Sequence, residues 1–314
     1  MRIPLSLPAD RPLDVLAVGL NSLDLLAVID GHPAANAKTQ MHHFAELPGG
    51  QSASAAAAMA RLGLTTAYIG RFGDDEFGRR GLDSLRAEGV DVADVVTVPG
   101  ATSQFAVVLV DRQSGTRTVV WNRHPGLTMT PGDVPARAVA AARVLHVDCH
   151  ETAAVASAAA DARRAGTRTV VDVERVRPGI DSLLRHIDVV IAAEGFPAEY
   201  TGATSLGAAL AALQRETGAA VVCVTLGHEG SLCLADGREI RTPAFPLQVV
   251  DSTGAGDVFR AGFIAGWLHG GESAELEDML RWANAVAALK CRSLGARTAC
   301  PSLAELHAFL EGRM

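Results

Sequence analysis

Short runs of β-branched and aliphatic residues recur along the chain: Val15-Leu16-Ala17-Val18, Val144-Leu145-His146-Val147, Thr169-Val170-Val171-Asp172-Val173, Val189-Val190-Ile191 and Val221-Val222-Cys223-Val224. Most of their alternate positions are apolar on both sides, the pattern of strands covered on both faces. Alanine-rich stretches of helical length, such as 153–165 and 205–217, lie between several of them. The alternation predicts an α/β fold with a mostly parallel central sheet and helices on both faces. Ligands of such sheets bind at the carboxyl ends of the strands, and Asp24, Asp148 and Thr225 fall near such ends. Two segments, about 25–47 and 103–121, are rich in strand formers without a helix between their halves. Within the second, Gln104–Val110 and Arg117–Trp121 flank Gln113-Ser114-Gly115-Thr116 and predict a hairpin. Together the two segments predict a small antiparallel sheet projecting from the core.

Composition narrows the class. A length of 314 residues suits one domain, 1–314, with a discontinuous appendage, and 48% hydrophobic residues suffice for a packed core. A formal net charge of -7 and the lack of any Lys/Arg run argue against a nucleic-acid partner. No apolar stretch approaches the ~20 residues of a membrane span, and prolines at positions 4 and 8 interrupt any signal-peptide helix. The five cysteines are scattered, without a CxxC pair, and read as buried reduced thiols. A cytoplasmic protein is expected.

The densest chemistry lies in Asp251-Ser252-Thr253-Gly254-Ala255-Gly256-Asp257, which follows the apolar run Leu247–Val250 and precedes a helix with Phe259, Phe263 and Trp267 on one stripe. Small residues at 254–256 let the backbone approach a ligand, and the free N–H groups of a first helical turn hold anions. By spacing alone, Asp257 reads either as a capping carboxylate of that helix or as a base that takes a proton from an attacking hydroxyl. Gly-x-x-x-x-Gly-Lys-Ser/Thr is missing, which excludes a P-loop.

The same residues, with Val258-Phe259, resemble the C-terminal signature of the PfkB/ribokinase family of carbohydrate kinases. Pro48-Gly49-Gly50, Ile69-Gly70-Arg71-Phe72-Gly73-Asp74-Asp75, Glu88-Gly89-Val90, Gly115-Thr116-Arg117-Thr118, Thr225-Leu226-Gly227-His228-Glu229-Gly230 and Trp282-Ala283-Asn284 match it in family order. The resemblance implies a ribokinase-like three-layer sandwich with a β-sheet lid, and ATP-dependent phosphorylation of a hydroxyl, primary for preference, on a small sugar. It makes Asp257 the base and the backbone of Gly254, Ala255 and Gly256 an anion hole. It places ATP at Thr225, Gly227, Gly230 and Asn284, and sugar hydroxyls at Asp24 beside Gly49 and Gly50. Magnesium is expected with ATP, Asp251 matches a monovalent-cation (potassium) site of some members, and the lid implies a homodimer.

Two departures bear on the acceptor. The family often carries Asn four positions after the second glycine; here Gly50 is followed by Gln51 and then Ser54 at that position. Its Asn-x-x-Glu motif is replaced by Ala193–Phe196, where Glu194 is the remaining candidate for magnesium through water. Within the family the chain is similar to ketohexokinase-like and sulfofructose-kinase-like members. There Lys38 and Asn122, with Arg123, would face an anionic head group, unless they are solvated edge groups. A fructose-like ketose is the favoured acceptor, with sulfo-sugars, sugar phosphates and nucleosides as rivals and a non-catalytic sugar sensor as the rival outside catalysis.

Overall fold

The computed structural model describes residues 1–313. Among them the chain forms, in order, β1 (Leu13–Val18), β2 (Ser22–Ile29), β3 (His43–Gly49), α1 (Gln51–Arg61), β4 (Thr66–Ile69), β5 (Arg71–Gly73), α2 (Glu76–Ala87), β6 (Val96–Val98), β7 (Phe105–Asp111) and β8 (Arg117–Asn122). There follow α3 (Ala136–Ala141), β9 (Ala142–Asp148), α4 (Thr152–Ala165), β10 (Arg168–Val173), α5 (Ile180–Leu184), β11 (Val189–Ala193), α6 (Phe196–Thr201), α7 (Leu206–Thr217) and β12 (Val221–Thr225). The last third contains β13 (Ser231–Ala235), β14 (Arg238–Thr242), α8 (Ala255–Gly270), α9 (Leu276–Lys290) and α10 (Leu303–Glu311).

The large sheet has the order β14-β13-β12-β11-β10-β9-β1-β4. The six strands from β12 to β4 are parallel, and β13 and β14 add an antiparallel edge. Val15–Val18, Val170 and Val171, and Val189–Ala192 are fully buried because helices cover both faces. One face packs against α1, α8 and α9 around Phe259, Phe263 and Trp267; each of these aromatic side chains contributes roughly 1.5–3 kcal/mol on burial. The other face packs against α3, α4 and α7.

From β1 the chain passes to β4 on one side and later enters β9 on the other, so the strand order reverses between β1 and β9. At such a reversal the connections leave in opposite directions and open a crevice at the carboxyl ends.

A separate four-stranded sheet, β3-β2-β7-β8, stands over that crevice. The hairpin read from the sequence is present as antiparallel β7 and β8, but β2 joins β7 in parallel, so the small sheet is mixed rather than wholly antiparallel. Asp24 also departs from expectation: it lies within β2 of this small sheet, not at the end of a core strand. The five cysteines are buried and unpaired. Among the described residues no helix is long and apolar enough to cross a membrane.

Candidate active site

A cavity of about 760 Å3 lies between the crevice and the small sheet. Its floor carries Thr253, Gly254 and Asp257; its walls carry Leu20, Asp24, Gly50 and Gln51 on one side and His150, Glu174, Arg175 and Arg177 on the other. Its roof is the inward face of the small sheet, with Ala106, Val108, Arg117, Val119 and Trp121.

The floor is built by the turn that starts α8. Gly254 is the residue before the helix and has φ 76°, a left-handed conformation. A Cβ there would stand 2.6 Å from the Ala296 carbonyl oxygen, so glycine is required for conformation and for space. No side chain caps the helix; Ala255 N donates to the Ser252 carbonyl at 3.2 Å, and Gly254 lines the cavity. Asp257 belongs to this first turn and forms no capping hydrogen bond. Its carboxyl keeps an opening to the cavity. Burial pushes it up to about 6, with the Arg260 guanidinium opposing and the Glu174 carboxylate adding to the rise.

Asp251 brackets the turn from below. Its carboxylate accepts from Thr253 N at 2.8 Å, Thr253 Oγ1 at 2.7 Å and Gly295 N at 2.8 Å. The buried Lys290 ammonium donates to the Asp251 carbonyl at 2.8 Å, so the positive charge at this turn comes from the protein itself.

The wall at Asp24 depends on glycines too. A Cβ on Gly49 would meet Asp24 Oδ2 at 2.2 Å, and one on Gly50, at φ 89°, would meet Asn21 Cα at 2.3 Å. Backbone and carboxylate therefore share a space with no room for a side chain. Ser22 Oγ donates to Asp24 Oδ1 at 2.8 Å, and burial pushes Asp24 up to about 6 against the pull of Ser22 and Arg297. Arg297 is buried and donates to the carbonyls of Pro48 at 3.2 Å and Gly49 at 3.1 Å, which fixes the end of β3 from the far end of the chain.

Several residues singled out in the sequence do not reach the cavity. Lys38 is exposed in the irregular stretch between β2 and β3. Asn122 is on the wrong face of β8: strand alternation turns Arg117, Val119 and Trp121 inward and Asn122 outward. Arg123 pairs with Glu151 and donates to Gln104 Oε1 at 3.1 Å, so it braces the small sheet. Ser54 is fully buried inside α1 and is not a cavity wall. Gln51 is a wall residue, and its buried Oε1 has no partner.

At the strand ends away from Asp24, Thr225 closes β12 and donates to the Ala192 carbonyl at 3.4 Å. Gly227 and Gly230 both have positive φ in the turn that follows. Asn284 is buried and donates to Ser231 Oγ at 3.0 Å and the Leu280 carbonyl at 2.9 Å, so it supports β13 from α9. Glu194 is exposed beyond β11.

Sequence reasoning gave no role to Arg117, His150, Glu174, Arg175, Arg177 or Arg297. The signal for Arg117 was in hand, because Gly115–Thr118 sits at a hairpin whose alternation sends Arg117 inward. Arg117 donates to Ser252 Oγ at 3.0 Å and so carries a cation from the small sheet to the floor turn. The arrangement as a whole can hold a polyhydroxylated molecule by a buried carboxylate, present one of its hydroxyls to a carboxylate base, and receive negative charge at the start of a helix that no side chain caps.

Comparison with known proteins fits this chemistry. Residues 13–303 match the family described as pfkB family carbohydrate kinase. The chain is 30% identical over 301 residues to a nucleoside kinase of Methanothermobacter thermautotrophicus, covering 93% of this chain and 94% of the relative. It is 30% identical over 328 residues to fructokinase-1 of Oryza sativa subsp. japonica, covering 96% and 99%. The structure of Arabidopsis thaliana ribokinase complexed with ribose and ATP superimposes with a TM-score of 0.81 at 25% identity, covering 95% of this chain and 99% of that one. These proteins share the scaffold and differ in acceptor. The chain belongs to the pfkB family of carbohydrate kinases and is a phosphotransferase with the ribokinase-like fold.

Proposed function

We propose that the protein transfers the γ-phosphoryl group of ATP to a hydroxyl, primary for preference, of a small sugar held under the small sheet, with a fructose-like ketose as the favoured acceptor. The observation that carries this reading is the placement of Asp24 and Asp257 on one cavity, with the uncapped start of α8 beside Asp257. Asp24, next to Gly49 and Gly50, accepts hydrogen bonds from sugar hydroxyls. Asp257 takes the proton of the attacking hydroxyl. The N–H groups of Gly254, Ala255 and Gly256 receive the charge that develops on the moving phosphoryl group. Arg117, bonded to Ser252, brings a positive charge to that turn when the small sheet lies over the acceptor. The sheet also keeps out water, which would compete with the sugar as acceptor.

ATP is assigned to the strand ends at Thr225, Gly227 and Gly230, with Asn284 behind them. Among the described residues no group of three or more His, Cys, Asp or Glu side chains could hold a metal alone. Magnesium carried on the phosphates keeps waters and takes few carboxylates; Glu194, past β11, and Glu174, on the cavity wall, are the candidates. When bound, magnesium supplies counter-charge for the transferring group. The Asp251 turn is already compensated by Lys290, so this reading does without potassium.

A nucleoside acceptor is the second reading, favoured by Trp121, which is 59% exposed on the cavity face beside Val119. The outward face of the same sheet exposes Phe44, Val107 and Val120, which supports pairing of two copies through it. An acceptor screen with ketoses, aldoses, sulfo-sugars, sugar phosphates and nucleosides, read as ADP release and product mass, tests the assignment. A ketose with the highest kcat/KM upholds it; a nucleoside in that place selects the second reading; ATP left intact with every acceptor rejects both.

A further inference from the structure

Beneath the floor turn lies a buried charge cluster for which the reaction scheme gives no role. Arg260 is three residues beyond Asp257 on α8 and points into the interface with the large sheet, where it is 2% exposed. Its guanidinium lies 2.8 Å from Asp172 Oδ1 and donates to the Ile191 carbonyl at 3.0 Å. One side chain thus joins α8 to β10 and β11, two residues before Glu174 enters the cavity wall. A Cβ on Gly256 would stand 2.9 Å from Arg260 Nη1, so the smallness of residue 256 also makes room for this guanidinium. A buried ion pair is a poor stabiliser compared with apolar residues of the same volume. Its presence directly under the base calls for another explanation.

The charges that face Asp257 come from several elements. They are Arg260 on its own helix, Asp172 and Glu174 from β10 and the turn after it, Asp148 from the end of β9, and Arg117 from β8. Lys290 on α9 serves the Asp251 turn. His146 on β9 is buried with neither ring nitrogen partnered, and burial holds it down at about 4, so it is neutral. Arg260 is therefore the buried cation set against a group of four carboxylates. Asp172 shares its charge; burial pushes Asp172 up to about 7, with Arg260 opposing.

We propose that Arg260, paired with Asp172, is a positioning residue for the base: it fixes the first turn of α8 at the ends of β10 and β11 and sets a permanent positive charge behind the Asp257 carboxylate. Asp172 moderates that charge, because a carboxylate facing an unshared guanidinium would be too weak a base for a hydroxyl proton. The inference rests on Asp257 acting as the base.

The test uses two single variants of the full chain and a readout that needs no acceptor. The Asp257 carboxyl, assigned by its loss in Asp257→Asn, is titrated by carbon-13 NMR in the wild type, Arg260→Met and Asp172→Asn. The midpoint is expected to rise by about one pH unit in Arg260→Met, a tenfold change, and to fall by less than about one in Asp172→Asn, because Asp172, pushed up to about 7, is mostly protonated where Asp257 titrates. A bracing role alone would lower activity in both variants without moving the midpoints in opposite directions, and that result overturns the proposal. Should Arg260→Met fail to fold, Asp172→Asn decides: a fall supports the proposal, and no change or a rise rejects it. The acid limb of kcat/KM is recorded alongside. A limb that stays fixed while the titration moves counts against Asp257 as base and not against the Arg260–Asp172 arrangement.

Discussion

The floor and the roof of the cavity are held by opposite kinds of structure. The floor turn, Asp251–Asp257, is bound from all sides: Asp251 by Thr253 and Gly295, its carbonyl by Lys290, and the following helix by Arg260 and three buried aromatic residues. The roof is one sheet whose strand β8 is exposed along its whole length and touches the floor through Arg117. A turn pinned in this way is rigid, and rigidity helps a reaction most where charge develops. An exposed sheet can instead open for a ligand and close over it, as acceptor entry requires.

Removing the base should produce the largest effect and break the comparison if it does not. Asp257→Asn is expected to lower kcat by roughly 10²–10⁴-fold with little change in the KM for ATP. In the wild type, Asp257 and Asp24 both stand at about 6. Each must be ionised to act, so kcat/KM should fall as pH drops below about 6, more steeply than tenfold per unit. Asp24→Asn should leave a limb of tenfold per unit. A wild-type profile flat down to pH 5 would contradict both assignments.

Gly254→Ala comes next. The added methyl meets the Ala296 carbonyl at 2.6 Å, and φ 76° is strained for alanine, so the floor must shift. Misplacing one charge-stabilising N–H typically costs about 10²–10³ in kcat. Stopped-turnover measurements should show the loss in kcat, with the KM of the acceptor nearly constant. A loss confined to KM would mean that the floor binds the acceptor instead of the moving phosphoryl group.

At the wall, Asp24→Asn should act mainly on acceptor binding. A hydrogen bond to a charged group contributes about 1.5–3 kcal/mol, which corresponds to a ten- to hundredfold loss in kcat/KM. Steady-state kinetics should assign most of it to the acceptor KM. An equal loss in kcat would place Asp24 in the reaction and erase the division between the two ends.

The difference between floor and roof also decided what could be read from the sequence. The floor is contiguous: an apolar run, small residues and an aromatic stripe within one stretch specify turn, anion site and helix together. The strands of the large sheet are legible for a similar reason, since double burial leaves unbroken apolar runs. The acceptor end gathers single residues from β2, β3, β8 and the turns after β9 and β10, and no local pattern announces that convergence. Arg297 reaches Pro48 and Gly49 across nearly the whole chain, a contact only the fold creates. Strand parity turns Asn122 away from the cavity, and Ser54 lies on the buried side of α1; both depend on which face packs inward, which spacing alone does not carry.

Lys38 gives the smallest expected effect. Its spacing ahead of Gly49-Gly50 suggested a cation for an anionic head group, but spacing fixes a side chain only along a regular element, and residues 30–42 form none. Lys38 is exposed and forms no part of the cavity wall, whereas Arg117, Arg175 and Arg177 line it. An exposed cation outside the wall acts through solvent, where screening leaves well under 1 kcal/mol. Lys38→Ala should therefore change kcat/KM by no more than about twofold for neutral and anionic acceptors alike. A tenfold rise in KM for an anionic acceptor alone, vanishing at high salt, would show that this segment folds over the cavity when the acceptor is bound. The roof would then extend beyond the sheet, and acceptor choice would depend on a part of the chain that is ordered only in the complex.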